Sequence, residues 1–148
     1  MEVNRMTKEL FTNEILIDAD NQRIEKLLLN LENIIKWNPE IKQVATIDHD
    51  EYMILRHGGA LNTTETIKVT QRGNTIEYES FDGTINCLIE WELESLSRHQ
   101  TRLKQTLSLT STTALNGVAL MLKPVIRNAF KDNLTGIKRV VETMEAIY

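Results

Sequence analysis

Three side chains in the middle of the chain have types on which catalysis or ligand recognition draws. Glu65 lies between Thr63 and Ile67, and on an extended segment it shares a face with Ile67 and Val69. A carboxylate among those apolar neighbours would have its pKa raised by desolvation and could serve as a general acid or base. The plainer reading, which the sequence favours, puts this strand near the rim of a sheet and leaves Glu65 solvated. Tyr78, between Ile76 and Ser80, joins an apolar ring to a hydroxyl that can meet a polar ligand group or transfer a proton. Gln105 shares its parity with Leu103 and Leu107. If that face is buried, the amide needs a partner: a ligand, another core side chain or a water.

Other reactive types lack a pattern that would give them a role. Cys87 is the only cysteine, so it has no disulfide partner within the chain, and no histidine is placed by the sequence to activate it as a nucleophile. His49, His57 and His99 fall near turns without metal-ligand spacing, and Gly58 and Gly59 read as a turn rather than a phosphate loop. No metal and no cofactor are expected. The net charge of −4, with Lys and Arg scattered, gives no long-range attraction for a phosphate backbone, so nucleic acid is not an expected partner. No apolar run approaches the roughly 20 residues of a membrane span, and the N-terminal residues lack the apolar core of a secretory signal. The expectation is a cytoplasmic protein, monomeric or homodimeric, without integral membrane association. With 148 residues and no Pro, Gly or Ser-rich linker, it reads as one domain over 1–148.

The elements that must position these side chains follow from periodicity. Phe11, Asn13, Ile15 and Ile17 alternate with Thr12, Glu14 and Leu16, which predicts a first strand ending at Ile17. Asp18 or Asp20 then caps a helix bearing Ile24, Leu27, Leu28 and Leu31, and a second short helix carries Ile34 and Ile35 up to Pro39. From Ile41 onward the period is two, with turn signals about every dozen residues, predicting strands over 41–48, 51–57, 61–71, 74–81, 84–96 and 99–112. In the last two, Cys87, Ile89, Trp91 and Leu93 oppose Glu90, Glu92 and Glu94, while Leu103, Leu107 and Leu109 oppose Arg102 and Lys104, so one face is wet and one buried. Glu92 and Glu94 can pair across the ladder with Lys104 and Arg102. After Gly117 the period becomes 3.6, with a stripe of Leu122, Ile126, Phe130, Leu134, Ile137, Val141 and Met144 beside Val125, Val140 and Ile147. Pro124 should either open the regular helix or kink it near Lys123. The sum is an α+β fold in which a curved antiparallel sheet of about seven strands wraps a long C-terminal helix, with two short helices after the first strand.

The residues that punctuate this order are an acid-capped helix after the first strand, Trp37-Asn38-Pro39-Glu40-Ile41 leading into the second, and Leu122-Lys123-Pro124-Val125-Ile126-Arg127 through Asn133-Leu134, Ile137-Lys138 and Glu142. On them the chain resembles the SRPBCC superfamily of helix-grip domains, which includes START lipid-transfer domains, birch-pollen-allergen-like proteins and bacterial polyketide cyclase/dehydrase-like proteins. The resemblance covers almost the whole chain and carries no catalytic signature. It implies a cavity between helix and sheet that holds a lipid, polyketide or other aromatic compound. Tyr78, Trp91, Gln105 and Leu107 would face it from the sheet, and Leu122, Ile126, Phe130 and Leu134 from the helix. The leading expectation is a binding protein for a hydrophobic or amphipathic small molecule. The alternatives are a polyketide cyclase or dehydratase using Glu65 or Tyr78, and a protein-interaction module of the chaperone-activator type.

Overall fold

The structure, a computed structural model, describes residues 8–58, 63–83, 85–110, 117 and 120–147, with side chains as far as residue 143. Its elements run in the order β1 (Lys8–Ile17), α1 (Asn21–Leu29), a 3-10 turn (Leu31–Asn33), α2 (Ile34–Trp37), β2 (Ile41–Asp48), β3 (Glu51–Arg56), β4 (Thr64–Arg72), β5 (Thr75–Phe81), β6 (Cys87–Ser97), β7 (Gln100–Leu109) and α3 (Lys123–Ile147). The seven strands form one antiparallel sheet in the order β1-β7-β6-β5-β4-β3-β2. The two ends of the meander are therefore the sheet's edges except that β1 adds beyond β7.

Local chemistry explains the boundaries. Asp20 is the residue that caps α1, its carboxylate accepting from the Arg23 N–H at 2.9 Å. The β4–β5 hairpin turns through Gly73 at φ 59°, a left-handed geometry that glycine adopts without strain. Between Glu9 and Phe11 the register of β1 against β7 slips by one residue, and this bulge puts Leu10 and Phe11 both into the interior, 3% and 5% exposed. The charged pairs on β6 and β7 form in register, Arg102 with Glu94 at 3.0 Å and Lys104 with Glu92 at 3.7 Å. Both pairs are exposed and fix register more than stability.

The predicted strand over 99–112 ends earlier, at Leu109, and the predicted helix starts its regular course later, at Lys123. Helical geometry at 117, 120 and 121 is interrupted at Leu122. Pro124 sits in the first turn of α3, where the N–H that it lacks would have had to reach back to residue 120. The first interior bond is then Ile126 N–H to the Leu122 carbonyl, 2.9 Å.

The helix stripe divides along its length. Leu134, Ile137 and Val141 are buried in the main core with Ile24, Leu28, Trp37 and Leu103, whereas Ile126 and Phe130 are only partly buried against a second cluster of Leu10, Phe11 and Leu107. Val125, expected beside the stripe, is 67% exposed because it lies where the helix has not yet reached the core. The side chains of Met144 and Ile147 lie outside the described residues. Gly136 lets the helix cross α2: a Cβ there would stand 2.5 Å from the Trp37 carbonyl oxygen. This crossing pins the second half of α3, and the space left between the two clusters falls under the first half.

Candidate functional site

That space is a cavity of about 350 Å³. Its floor is the concave sheet, with Ile67, Tyr78, Ile89, Trp91 and Leu107; its roof is α3, with Leu122, Ile126 and Phe130; Ile34 and Trp37 of the α2 region close one side. The alternation of β5 and β6 brings Tyr78 and Trp91 onto this face, and their rings meet at a centroid distance of 5.6 Å. Trp91 in turn meets Trp37 edge to face at 5.8 Å. The roof is held to edge strand β1 by a ring contact between Phe11 and Phe130 at 5.5 Å, and by a polar chain in which Arg127 Nε donates to Asn13 Oδ1 at 3.2 Å and Asn13 Nδ2 donates to Gln105 Oε1 at 3.3 Å.

One side of the cavity wall is polar. Arg56, Glu65, Ser80 and Cys87 come from four successive strands, β3 to β6, and all line it. Arg56 Nη1 is ion-paired with Glu65 Oε1, and the Ser80 hydroxyl donates to Glu65 Oε2. Glu65 is 4% exposed, so the reading that left it solvated on a rim is corrected. The strand is covered because α2 and α3 close over this part of the sheet, and the guanidinium and hydroxyl supply the partners that a buried carboxylate requires. Burial pushes the Cys87 thiol up to about 12, with the Glu65 carboxylate adding to the rise and Arg56 and Ser80 opposing it. Such a thiol stays protonated and is a poor nucleophile.

Among the residues singled out from sequence, Tyr78, Trp91, Leu107, Leu122, Ile126, Phe130 and Glu65 are brought together around the cavity. Leu134 is not among its lining residues; it is packed in the main core. Gln105 also lies off the lining, fully buried, its Oε1 engaged by Asn13. The Tyr78 ring lines the cavity, while its hydroxyl donates to the Leu28 carbonyl at 2.5 Å. Burial, and secondarily the neighbouring Tyr52, holds that phenol well above its usual pKa, so it is a neutral donor tied to α1. Arg56, Ser80 and Trp37 were not singled out. The signal for Arg56 was present, since Tyr52 and Ile54 face inward on β3 and the same parity carries Arg56 inward with them. Among the described residues no three His, Cys, Asp or Glu side chains gather into a metal-binding group, and no helix is long and apolar enough to cross a membrane.

The architecture has well-matched counterparts among solved structures. A START superfamily protein from Mycobacterium smegmatis superposes with a TM-score of 0.77 at 15% identity, covering 93% of this chain and 99% of that one. The Zhui aromatase/cyclase from Streptomyces sp. R1128 gives 0.74 at 14% identity, over 92% of this chain and 94% of the other. A norcoclaurine synthase point mutant from Thalictrum flavum gives 0.72 at 10% identity, over 97% and 99%. At these identities the likeness is one of fold, the helix grip. No curated protein matches in sequence. The sequence model of the family described as polyketide cyclase/dehydrase and lipid transport matches residues 8–142.

Proposed function

Starting from a chain that belongs to the polyketide cyclase/dehydrase and lipid transport family, we propose that it binds a hydrophobic or amphipathic small molecule in the cavity beneath the first half of α3. The observation that carries this reading is the division of the helix. In its second half Leu134, Ile137 and Val141 are packed in the main core, while its first half stands over a volume of about 350 Å³ walled mainly by apolar and aromatic side chains. That volume falls within the range of small-molecule pockets. Removing apolar ligand surface from water supplies the affinity, at roughly 25 cal/mol per Å². The Arg56, Glu65 and Ser80 side chains offer the few polar groups that fix orientation. A cytoplasmic setting is part of the same proposal, supported by a lone cysteine with no partner in the sequence for a disulfide.

Native mass spectrometry of protein purified without denaturant, followed by a panel of lipids and polyketides, tests this. Retention of one panel class at one molecule per chain is expected; a protein that retains nothing from the panel contradicts the proposal.

A second reading has one observation in its favour. Glu65 lines the cavity with Ser80 and Arg56 around its carboxylate, an arrangement able to accept a proton from a bound substrate. On this reading the protein is a cyclase or dehydratase for a polyketide-like substrate, and Glu65→Gln abolishes turnover in a chain that still folds and binds, at a stability cost from the Arg56 charge that loses its Glu65 counterpart.

A further inference from the structure

The two edges of the sheet are finished differently. At β1 the backbone groups that point outward are met by side chains of α3: Arg127 Nη2 donates to the Thr12 carbonyl at 3.5 Å, Lys138 Nζ donates to the Leu16 carbonyl at 3.2 Å, and Glu142 Oε2 accepts from the Asp18 N–H at 3.3 Å. At β2 the hydrogen-bond directions follow from the next ladder. Arg56 N–H donates to the Thr63 carbonyl and Val69 N–H to the Asp50 carbonyl, so the even-numbered residues of β3 face β4 and the odd-numbered ones face β2. Met53 and Leu55 therefore bond Ala45 and Gln43, and the N–H and C=O groups of the alternate residues, Val44 and Thr46, point off the sheet. Among the described residues no side chain is bonded to those groups.

An open edge is a template for a further strand. The register of β2 slips near both its ends, between Ile41 and Gln43 and between Thr46 and Asp48, which leaves 43–46 as a regular stretch with no charge and no proline. Beside it the surface turned away from the core is apolar: Ala45 lies opposite Met53, which is 50% exposed, and Ile47 is 53% exposed. The stretch is also self-complementary. Laid antiparallel to a copy of itself about a two-fold axis at Ala45, Val44 of each chain comes opposite Thr46 of the other, so both outward-facing positions exchange hydrogen bonds. In the same register Lys42 comes opposite Asp48 at both ends, and a shift of two residues either way breaks both matches. We propose that β2 is a self-association edge, through which two copies of the chain join their seven-stranded sheets into one. Among the described residues none that lines the cavity belongs to β2, so association through it leaves the cavity walls as they are.

Sedimentation equilibrium of the full chain at low salt, over a concentration series, should show a dimer with Kd on the order of 10–100 µM, the weak range suited to a short pairing. The amides of Val44 and Thr46 should exchange with solvent at least about tenfold more slowly well above that concentration than well below it, while those of Gln43 and Ala45, bonded to β3, should not change. Thr46→Pro removes an outward N–H without touching the ladder to β3, and should raise the Kd at least about tenfold. Lys42→Glu, on the exposed surface, should do the same by setting a like charge against Asp48, and the double variant Lys42→Glu/Asp48→Lys should return the Kd to within about threefold of the wild type. A chain that is still monomeric at about 1 mM overturns the proposal and leaves the edge to a strand of another protein. A dimer that neither Thr46→Pro nor Lys42→Glu weakens forms through another face and overturns it equally.

Discussion

Arg56 and Glu65 form an ion pair between adjacent strands at the cavity wall, with side chains 18% and 3% exposed. Each depends on the other, since a charge removed from water is stable only with its counterpart and its hydrogen bonds in place. Arg56→Met should therefore cost about 3 kcal/mol of folding stability, measured by urea denaturation. The double variant Arg56→Met/Glu65→Gln should recover more than half of the loss, because it removes the stranded charge. A double variant as unstable as the single one would show that the loss comes from packing and not from charge.

Gly136 tests the crossing that pins α3. Because a Cβ at this position would meet the Trp37 carbonyl oxygen at 2.5 Å, a backbone contact that no rotamer relieves, Gly136→Ala should destabilise by roughly 1–3 kcal/mol. It should also shift the fluorescence of Trp37 at the cavity wall. Gly117 meets nothing within 4 Å, so Gly117→Ala should be neutral or slightly stabilising. Equal effects of the two substitutions in denaturant titrations would contradict the close approach.

The alkaline limb of stability should carry a signature of Cys87. In the unfolded chain the thiol ionises near its ordinary value of 9.0, while in the folded chain burial holds it protonated up to about 12. The unfolded state thus loses a proton first, and stability contributed below pH 9 falls as pH rises from 9 toward 12. Tyr78 adds a further loss above its ordinary 10.0. Melting temperatures taken across pH 8–11 should fall more steeply for the wild type than for Cys87→Ala, a difference that opens near pH 9. Parallel curves would show that the thiol ionises as freely in the folded protein.

Tyr78→Phe separates ring from hydroxyl. With the hydroxyl given to the Leu28 carbonyl, its removal should cost about 1–2 kcal/mol in denaturant titrations and change ligand affinity less than about threefold. A large loss of affinity at unchanged stability would place the hydroxyl on the ligand instead.

What was legible in the sequence is what periodicity records. Trp91 and Leu103 declare a buried face because Glu92 and Lys104 declare the opposite one, and the in-register pairs of β6 and β7 follow from the same alternation. The long helix was legible for the same reason. Where periodicity fails, the information lies in contacts distant in sequence. Leu10 is buried through a one-residue slip against β7 that alternation cannot express. Glu65 reads as solvated until Arg56 and Ser80 are seen beside it. Leu122 and Leu134 look equivalent on the helix stripe, yet Leu122 lines the cavity and Leu134 is core, because the second half of α3 is packed closely against α2 at Gly136. Trp37 reads as a helix terminus and is also a cavity wall.

The central claim is that the space beneath the first half of α3 is kept for a ligand, and filling it is the most direct test. Ile126 lines the cavity and is only partly buried, so Ile126→Trp should occupy the volume with the protein's own side chain. Calorimetric titration with the best-retained compound of the lipid and polyketide panel should show saturable binding to the wild type and a loss of at least about tenfold in affinity for the variant, whose denaturation midpoint should be equal or higher. Unchanged affinity in a folded Ile126→Trp protein would place the ligand elsewhere and contradict the account.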